Sequence, residues 1–239
     1  LSKFGVGFKL GEFVQITLGV KELEKTSSYY EILGFKKLDS GNEPWPWILY
    51  TDGENLIHLN IDGNIYTGLT YFDKEMKRNI DRLEKAGINF IKKSEVEGNV
   101  LGIFKTPDGF MVGLVNSIRR KEDYNFTDIN FKLGNAMELS YSVKDLKDSL
   151  NYWNDLGFKA KGTYDHPYPW AIIQDGLITI GLHQSEEIPK RPITTYFSKN
   201  QTPIIKKIKE KGLKIAKSYD ENNATLETPD GHLINIFQW

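Results

Sequence analysis

The chain is 239 residues long, enough for one large hydrophobic core or two ordinary ones, and its 39% apolar and 13% aromatic content excludes a disordered chain. With 31 basic against 32 acidic residues the formal net charge is -1, so nothing draws the whole chain to nucleic acid or to an anionic membrane. Cysteine is absent, which excludes disulfides, thiolate metal sites and cysteine nucleophiles, and no apolar run approaches the roughly 18 residues of a membrane helix.

The opening Leu1-Ser2-Lys3 carries no targeting character, and a cytoplasmic location is expected. The stretch GVGFKLG from Gly5 lacks the glycine spacing and following helix of a phosphate loop. Alternation over Val14 to Leu18 predicts a half-buried strand. Leu23, Ser27, Tyr30 and Leu33 then share one face of a helix. It stops at Gly34, where glycine takes the left-handed conformation without a Cβ clash. Short strands are predicted around Trp47 to Tyr50 and Leu56 to Asn60. A second helix, Glu75 to Ala86, aligns Met76, Ile80 and Leu83 and ends at Gly87. Strands follow over Gly102 to Lys105 and Phe110 to Val115, with Asp108-Gly109 in a tight turn between them. Residues 118–130 are polar, include the charge run Arg119 to Glu122, and read as a linker.

Beyond the linker the pattern returns. Residues 8–37 and 131–160 share 12 identities at a constant offset of 123. The same offset carries PWPW (44–47) onto PYPW (167–170) and Asp52-Gly53 onto Asp175-Gly176, while TPDG at 106–109 meets TPDG at 228–231. The second copy predicts a strand at Met137 to Tyr141 and a helix faced by Leu146, Leu150, Trp153 and Leu156, stopping at Gly157. Strands at Trp170 to Ile173 and Leu177 to His183 come next, then a helix from Pro203 to Lys211 ending at Gly212. The last strands are Ala224 to Glu227 and Leu233 to Phe237, around Asp230-Gly231. A repeat this long is two large units rather than a solenoid, and the chain reads as four βαβββ modules.

The stretches VKELEKTSSYYEILGF (20–35), VKDLKDSLNYWNDLGF (143–158), TPDGFMVGL (106–114) and TPDGHLINI (228–236), in this order, resemble the vicinal oxygen chelate superfamily, with support from RLEKAG (82–87) and IKEKG (208–212). That superfamily includes glyoxalase I, bleomycin-resistance proteins and extradiol dioxygenases. The resemblance implies an α+β fold in which the modules pair into two curved, cup-shaped mixed-sheet barrels with helices outside. Residues 8–117 and 131–239 would be the two glyoxalase-like domains, joined by 118–130; exchange of modules between them stays open. It also implies a divalent metal in many members, held by a first-strand His or Gln and a last-strand Glu. Those positions fall on Gln15 and Glu138, and on Gly113 and Asn235. Gly113 offers no side chain and Asn235 only a neutral one, so no complete metal site is expected. Gln15, His58, Glu138 and His183 remain as metal candidates, short of the three protein ligands of catalytic zinc.

The prolines of PWPW and PYPW stiffen the chain while their aromatics offer broad apolar surface, which suits a pocket lip or a packed core. Ligand contacts are therefore assigned to Gln15, Trp45, Trp47, His58, His166, Tyr168, Trp170 and His183. Glu138 is the candidate general base, Asp165 beside His166 could carry a proton, and His232 is expected to serve its hairpin. Three functions fit. The first is a metal-independent protein that binds an aromatic or amphipathic small molecule, as a monomer or homodimer. The second is a metal-dependent lyase or ring-cleavage dioxygenase, which would need a divalent metal. The third is a structural or protein-interaction role.

Overall fold

The computed structural model describes residues 3–4, 7–118, 120–127, 129 and 131–239; Leu1, Ser2, Gly5, Val6, Arg119, Asp128 and Asn130 of the segments named above lie outside them. The first module comprises β1 (Phe13–Gly19), α1 (Leu23–Ile32), β2 (Lys36–Gly41), β3 (Trp47–Thr51) and β4 (Leu56–Asn60). The second comprises β5 (Tyr66–Asp73), α2 (Met76–Lys85), β6 (Phe90–Val96), β7 (Asn99–Lys105) and β8 (Met111–Asn116). After a short 3-10 turn at Lys121–Asp123, the third contains β9 (Ala136–Ser142), α3 (Leu146–Asp155), β10 (Lys159–Tyr164), β11 (Trp170–Gln174) and β12 (Thr179–His183). The fourth contains β13 (Ile193–Ser198), α4 (Thr202–Glu210), β14 (Ile215–Ser218), β15 (Ala224–Glu227) and β16 (Leu233–Gln238). Strand β12 starts at Thr179 rather than Leu177 because Asp175 Oδ1 holds the amides of Leu177 and Ile178 in the preceding turn.

Two eight-stranded mixed sheets result, ordered β2-β3-β4-β1-β5-β8-β7-β6 and β10-β11-β12-β9-β13-β16-β15-β14. Hairpin neighbours run antiparallel, whereas β1 with β4, β5 with β8 and β13 with β16 run parallel. Parallel central strands need both faces covered, and β1, β5 and β13 are buried along most of their length. The helices cover the sheets: α1 packs on β3 and β4, α2 on β7 and β8, and α3 on β10, β11 and β12. The four edge strands share one device. Each breaks register once, between Lys37/Asp39, Phe90/Lys92, Ala160/Gly162 and Ile215/Lys217, so an edge rich in lysine is also bulged. Both features discourage pairing with a foreign strand.

Packing divides the chain differently from hydrogen bonding between strands. One compact unit contains Leu1–Gln15, Gly68–Tyr124 and Ser140–Pro192, so the second and third modules pack together; the other contains Ile16–Thr67, Asn125–Leu139 and Ile193–Trp239, uniting the first and fourth. The duplicated Asp-Gly turns tie each unit. In the first, Asp108 accepts from Lys144 N at 3.1 Å and Ser149 Oγ at 2.5 Å, and Asp175 Oδ2 accepts from Tyr71 Oη at 2.6 Å. In the second, Asp230 accepts from Lys21 N at 2.7 Å, Glu22 N at 3.3 Å and Thr26 Oγ1 at 2.5 Å, and Asp52 Oδ2 accepts from Tyr196 Oη at 2.8 Å. Both units thus share three equivalent bonds, with the modules' roles exchanged, and the Glu22 amide adds a fourth in the second.

Their cores differ in detail. The first is built on Trp153, fully buried, whose Nε1 donates to Tyr141 Oη at 2.8 Å while Phe110 and Phe158 meet its ring edge-on. The second places Tyr30 against Phe35 and Tyr50. Gln201, fully buried at the start of α4, shares its Nε2 hydrogens among the carbonyls of Leu133, Tyr196 and Phe237 at 3.2–3.3 Å. The corresponding residue of the second module is Met76, equally buried. Exchanging Gln201 for that apolar residue, Gln201→Met, is expected to cost about 1–2 kcal/mol in urea unfolding, because up to three carbonyls lose a buried donor. A variant as stable as the parent would show these contacts to be dispensable.

Candidate functional site

The proline-stiffened turn before β3 sets Trp47 at the strand's first position, with its Nε1 donating to Glu43 O at 3.2 Å. Its indole stacks on His58 of β4, ring centroids 5.4 Å apart and 29° between planes. Asn60, two residues on and so on the same strand face, is the Cα partner of Trp47. Its Nδ2 lies 3.5 Å from His58 Nδ1 and 3.4 Å from Tyr66 Oη, and Tyr66 donates to Asp62 Oδ2 at 2.9 Å. An amide nitrogen only donates, so at this contact His58 Nδ1 stands on the acceptor side. Burial, with Asp62 adding to it, pushes the Tyr66 hydroxyl well above its ordinary range, so it stays a donor.

The second copy repeats the design with a shifted histidine. Trp170 opens β11 and donates to His166 O at 2.9 Å, as Trp47 does to Glu43. It stacks on His183 of β12 at 5.9 Å and 8°, and Tyr164 of β10 stacks on its other neighbour side at 4.1 Å and 18°. Tyr168 meets His183 edge-on, with Oη 3.4 Å from Nδ1. His183 is the Cα partner of Trp170, the place Asn60 holds opposite Trp47. The residue matching His58 is Gly181. Two histidines at unequal sequence positions therefore arrive under the same tryptophan, because a strand face repeats every second residue.

Of the assigned site residues, Trp47 and His58 come together in one module, and Tyr168, Trp170 and His183 in another. Trp45 is half-buried at the PWPW turn. His166 contributes its carbonyl, while its ring and Asp165 are exposed. Gln15 and Glu138 are buried on β1 and β9, 5% and 7% exposed, and Gln15 Oε1 has no hydrogen-bond partner among the described residues. His232 does more than serve its hairpin. Its backbone amide bonds Thr228 Oγ1, but its buried ring reaches Gly19 O at 2.9 Å and Thr67 Oγ1 at 3.3 Å. A shallow hollow of about 240 Å³, much of it open to solvent, lies elsewhere, around Asp52, Lys132 and Tyr196.

No family model and no curated protein matches the chain. Solved structures do. Homoprotocatechuate 2,3-dioxygenase from Arthrobacter globiformis aligns over 99% of this chain and 82% of its own, at 13% identity and TM-score 0.64. The 2,3-dioxygenase LapB from Pseudomonas sp. KL28 aligns over 94% and 91%, at 11% identity and TM-score 0.63. An Mn(II)-bound glyoxalase from Novosphingobium aromaticivorans aligns over 95% and 82%, at 14% identity and TM-score 0.61. The chain has the vicinal oxygen chelate fold.

The metal implied by the vicinal oxygen chelate fold does not find its donors here. Among the described residues no three His, Cys, Asp or Glu side chains group as a metal site would need. At the last-strand position of the second module, Gly113 pairs with Thr70, and a Cβ built there would sit 3.2 Å from Thr70 Oγ1, so a longer ligand would have to displace it. At the matching position of the fourth, Asn235 is committed: Oδ1 accepts from Thr225 Oγ1 at 2.7 Å and Nδ2 donates to Thr195 Oγ1 at 3.3 Å. A buried amide bonded at both ends joins three strands and leaves little for a cation. Asn60 and Tyr66 went unassigned from sequence because neither belongs to a motif; the signal was their closeness in sequence to His58, Asn60 on the same strand face and Tyr66 at the start of the next strand.

Proposed function

We propose that the chain is a small-molecule binding protein, in which each eight-stranded sheet curves into a cup and an aromatic or amphipathic ligand lies against the tryptophan–histidine pair. Residues 8–117 and 131–239 would act as the two binding domains, with 118–130 between them, in a cytoplasmic monomer or homodimer. The supporting observation is the recurrence of a half-buried tryptophan stacked on a histidine, Trp47 on His58 and Trp170 on His183, from histidines that the duplication does not align. An indole face beside a ring nitrogen offers apolar area with a polar handle, the usual make-up of a small-molecule site. Glu138, buried on β9, is kept as the candidate base for any proton transfer. The metal-dependent lyase or ring-cleavage reading draws on the same fold but requires donors that Gly113 and Asn235 do not provide.

Calorimetric titration with planar aromatics such as indole and naphthalene tests this reading. Saturable binding at two sites is expected, and Trp47→Ala and Trp170→Ala should each weaken one of them at least about tenfold by removing the stacking surface. No saturable binding by the parent protein would end the proposal.

A further inference from the structure

We propose that the first-copy face selects planar ligands carrying an N–H or O–H donor, and that Asn60 reads that donor. The inference rests on the aromatic-binding function proposed above. Asn60 is 3% exposed and is the Cα partner of Trp47 on one side and of Gly19 on the other. Directly opposed residues of neighbouring strands project to one face, so Trp47, Asn60 and Gly19 form a row. The Asn64 carbonyl and the Tyr66 ring fill the space that Gly19 leaves: a Cβ there would clash with that oxygen and lie 2.6 Å from the ring. The Asn60 amide therefore forms a floor between an indole and a phenol, both half-buried.

The direction of each hydrogen in this group singles out one atom. Asn60 Nδ2 directs its two hydrogens to Tyr66 Oη and His58 Nδ1, and Tyr66 directs its own to Asp62. None of these donors is turned toward Asn60 Oδ1, which is buried and has no hydrogen-bond partner among the described residues. A buried carbonyl oxygen without a donor is costly, and a ligand that supplies one recovers that cost only if it has the hydrogen to give. The second copy lacks the device, because His183 stands where Asn60 would be and its Nδ1 faces the Tyr168 hydroxyl. The two faces thus present different chemistry, an amide oxygen in one and an imidazole in the other.

Indole and benzofuran have the same outline, and only indole carries N–H. Both are titrated calorimetrically into the Trp170→Ala variant of the 239-residue chain, where the first face is left to report. Indole is expected to bind at least about tenfold tighter than benzofuran. In Asn60→Leu the two affinities should converge, with benzofuran changed by no more than about threefold. Because the pair is compared first with Asn60 intact, the result stands whether or not Asn60→Leu folds. Equal affinities for the two ligands in Trp170→Ala would mean that water already serves Oδ1, and would overturn the donor preference alone. Binding of neither would overturn the aromatic-binding function as well.

Discussion

Asp230→Ala lowers the unfolding free energy by about 3 kcal/mol, and Asp108→Ala by about 2 kcal/mol, although both remove the same turn residue. The difference follows from how each helix begins. The first turn of α1 receives no side-chain cap from Glu22, so the carboxylate of Asp230 is what the amides of Lys21 and Glu22 and the buried hydroxyl of Thr26 bond to. A carboxylate at a helix N-terminus also meets the positive end of its dipole. Removing it strands three donors in a place where water reaches only some of them. Helix α3 has its own cap, Asp145, which accepts from Asp148 N at 2.8 Å, so Asp108 there adds to a helix start that is already satisfied. Urea unfolding of the two variants beside the parent checks this. A loss below about 0.5 kcal/mol for Asp230→Ala, or a larger loss for Asp108→Ala, would refute the argument. Asp230→Asn should fall between, since it keeps an acceptor but loses the charge.

These bonds also show what could be read from the sequence and what could not. The duplication made the four modules legible, because the same helix stops, turns and apolar spacings occur twice. The outer strands β2, β6, β10 and β14 were not placed, for a physical reason. They are edges with no buried residue, exposed along half or more of their length, as in Phe90–Val96, where only the first residue is partly covered, so no apolar alternation marks them. The aspartates read only as turn formers. A turn aspartate spends one oxygen on nearby amides, as Asp52 does on Glu54 and Asn55, and the partner of its second oxygen can lie 144 residues away. The duplicated sequence did hold a trace of those partners. Thr26 and Ser149, and Tyr71 and Tyr196, keep a hydroxyl at matching places in the two copies, alongside the repeated aspartates. At the candidate site the histidines and tryptophans were named individually, but their stacking was hidden. His58 and His183 do not align, and only the two-residue period of a strand brings both beneath a tryptophan.

Alkali should unfold this protein in one cooperative step between about pH 11 and 12, and the reason lies in its tyrosines. At least eight of the 12 have hydroxyls raised above their ordinary range, and Tyr30, Tyr50, Tyr71, Tyr141 and Tyr196 are buried to 3% exposure or less. Burial is the main cause in all five; the carboxylates of Asp175 beside Tyr71 and Asp52 beside Tyr196 oppose ionisation further. The sign follows directly. A folded-state value above the unfolded value of about 10 means the fold holds the proton that the unfolded chain releases, so stability is intact below pH 10 and falls above it. Each such tyrosine removes about 1.4 kcal/mol per pH unit, hence roughly 7 kcal/mol per unit for the five. Set against a typical domain stability of about 5–15 kcal/mol, the fold gives way within one to two units. Tyr29 and Tyr152, pushed up to about 12 by burial but partly exposed, add less. Tyrosinate absorbance and far-UV circular dichroism, followed together, provide the measurement. The buried hydroxyls should ionise only as the secondary structure is lost; a full tyrosine titration near pH 10 with the dichroism unchanged would show that these rings are not sealed as the Tyr71–Asp175 and Tyr196–Asp52 bonds require.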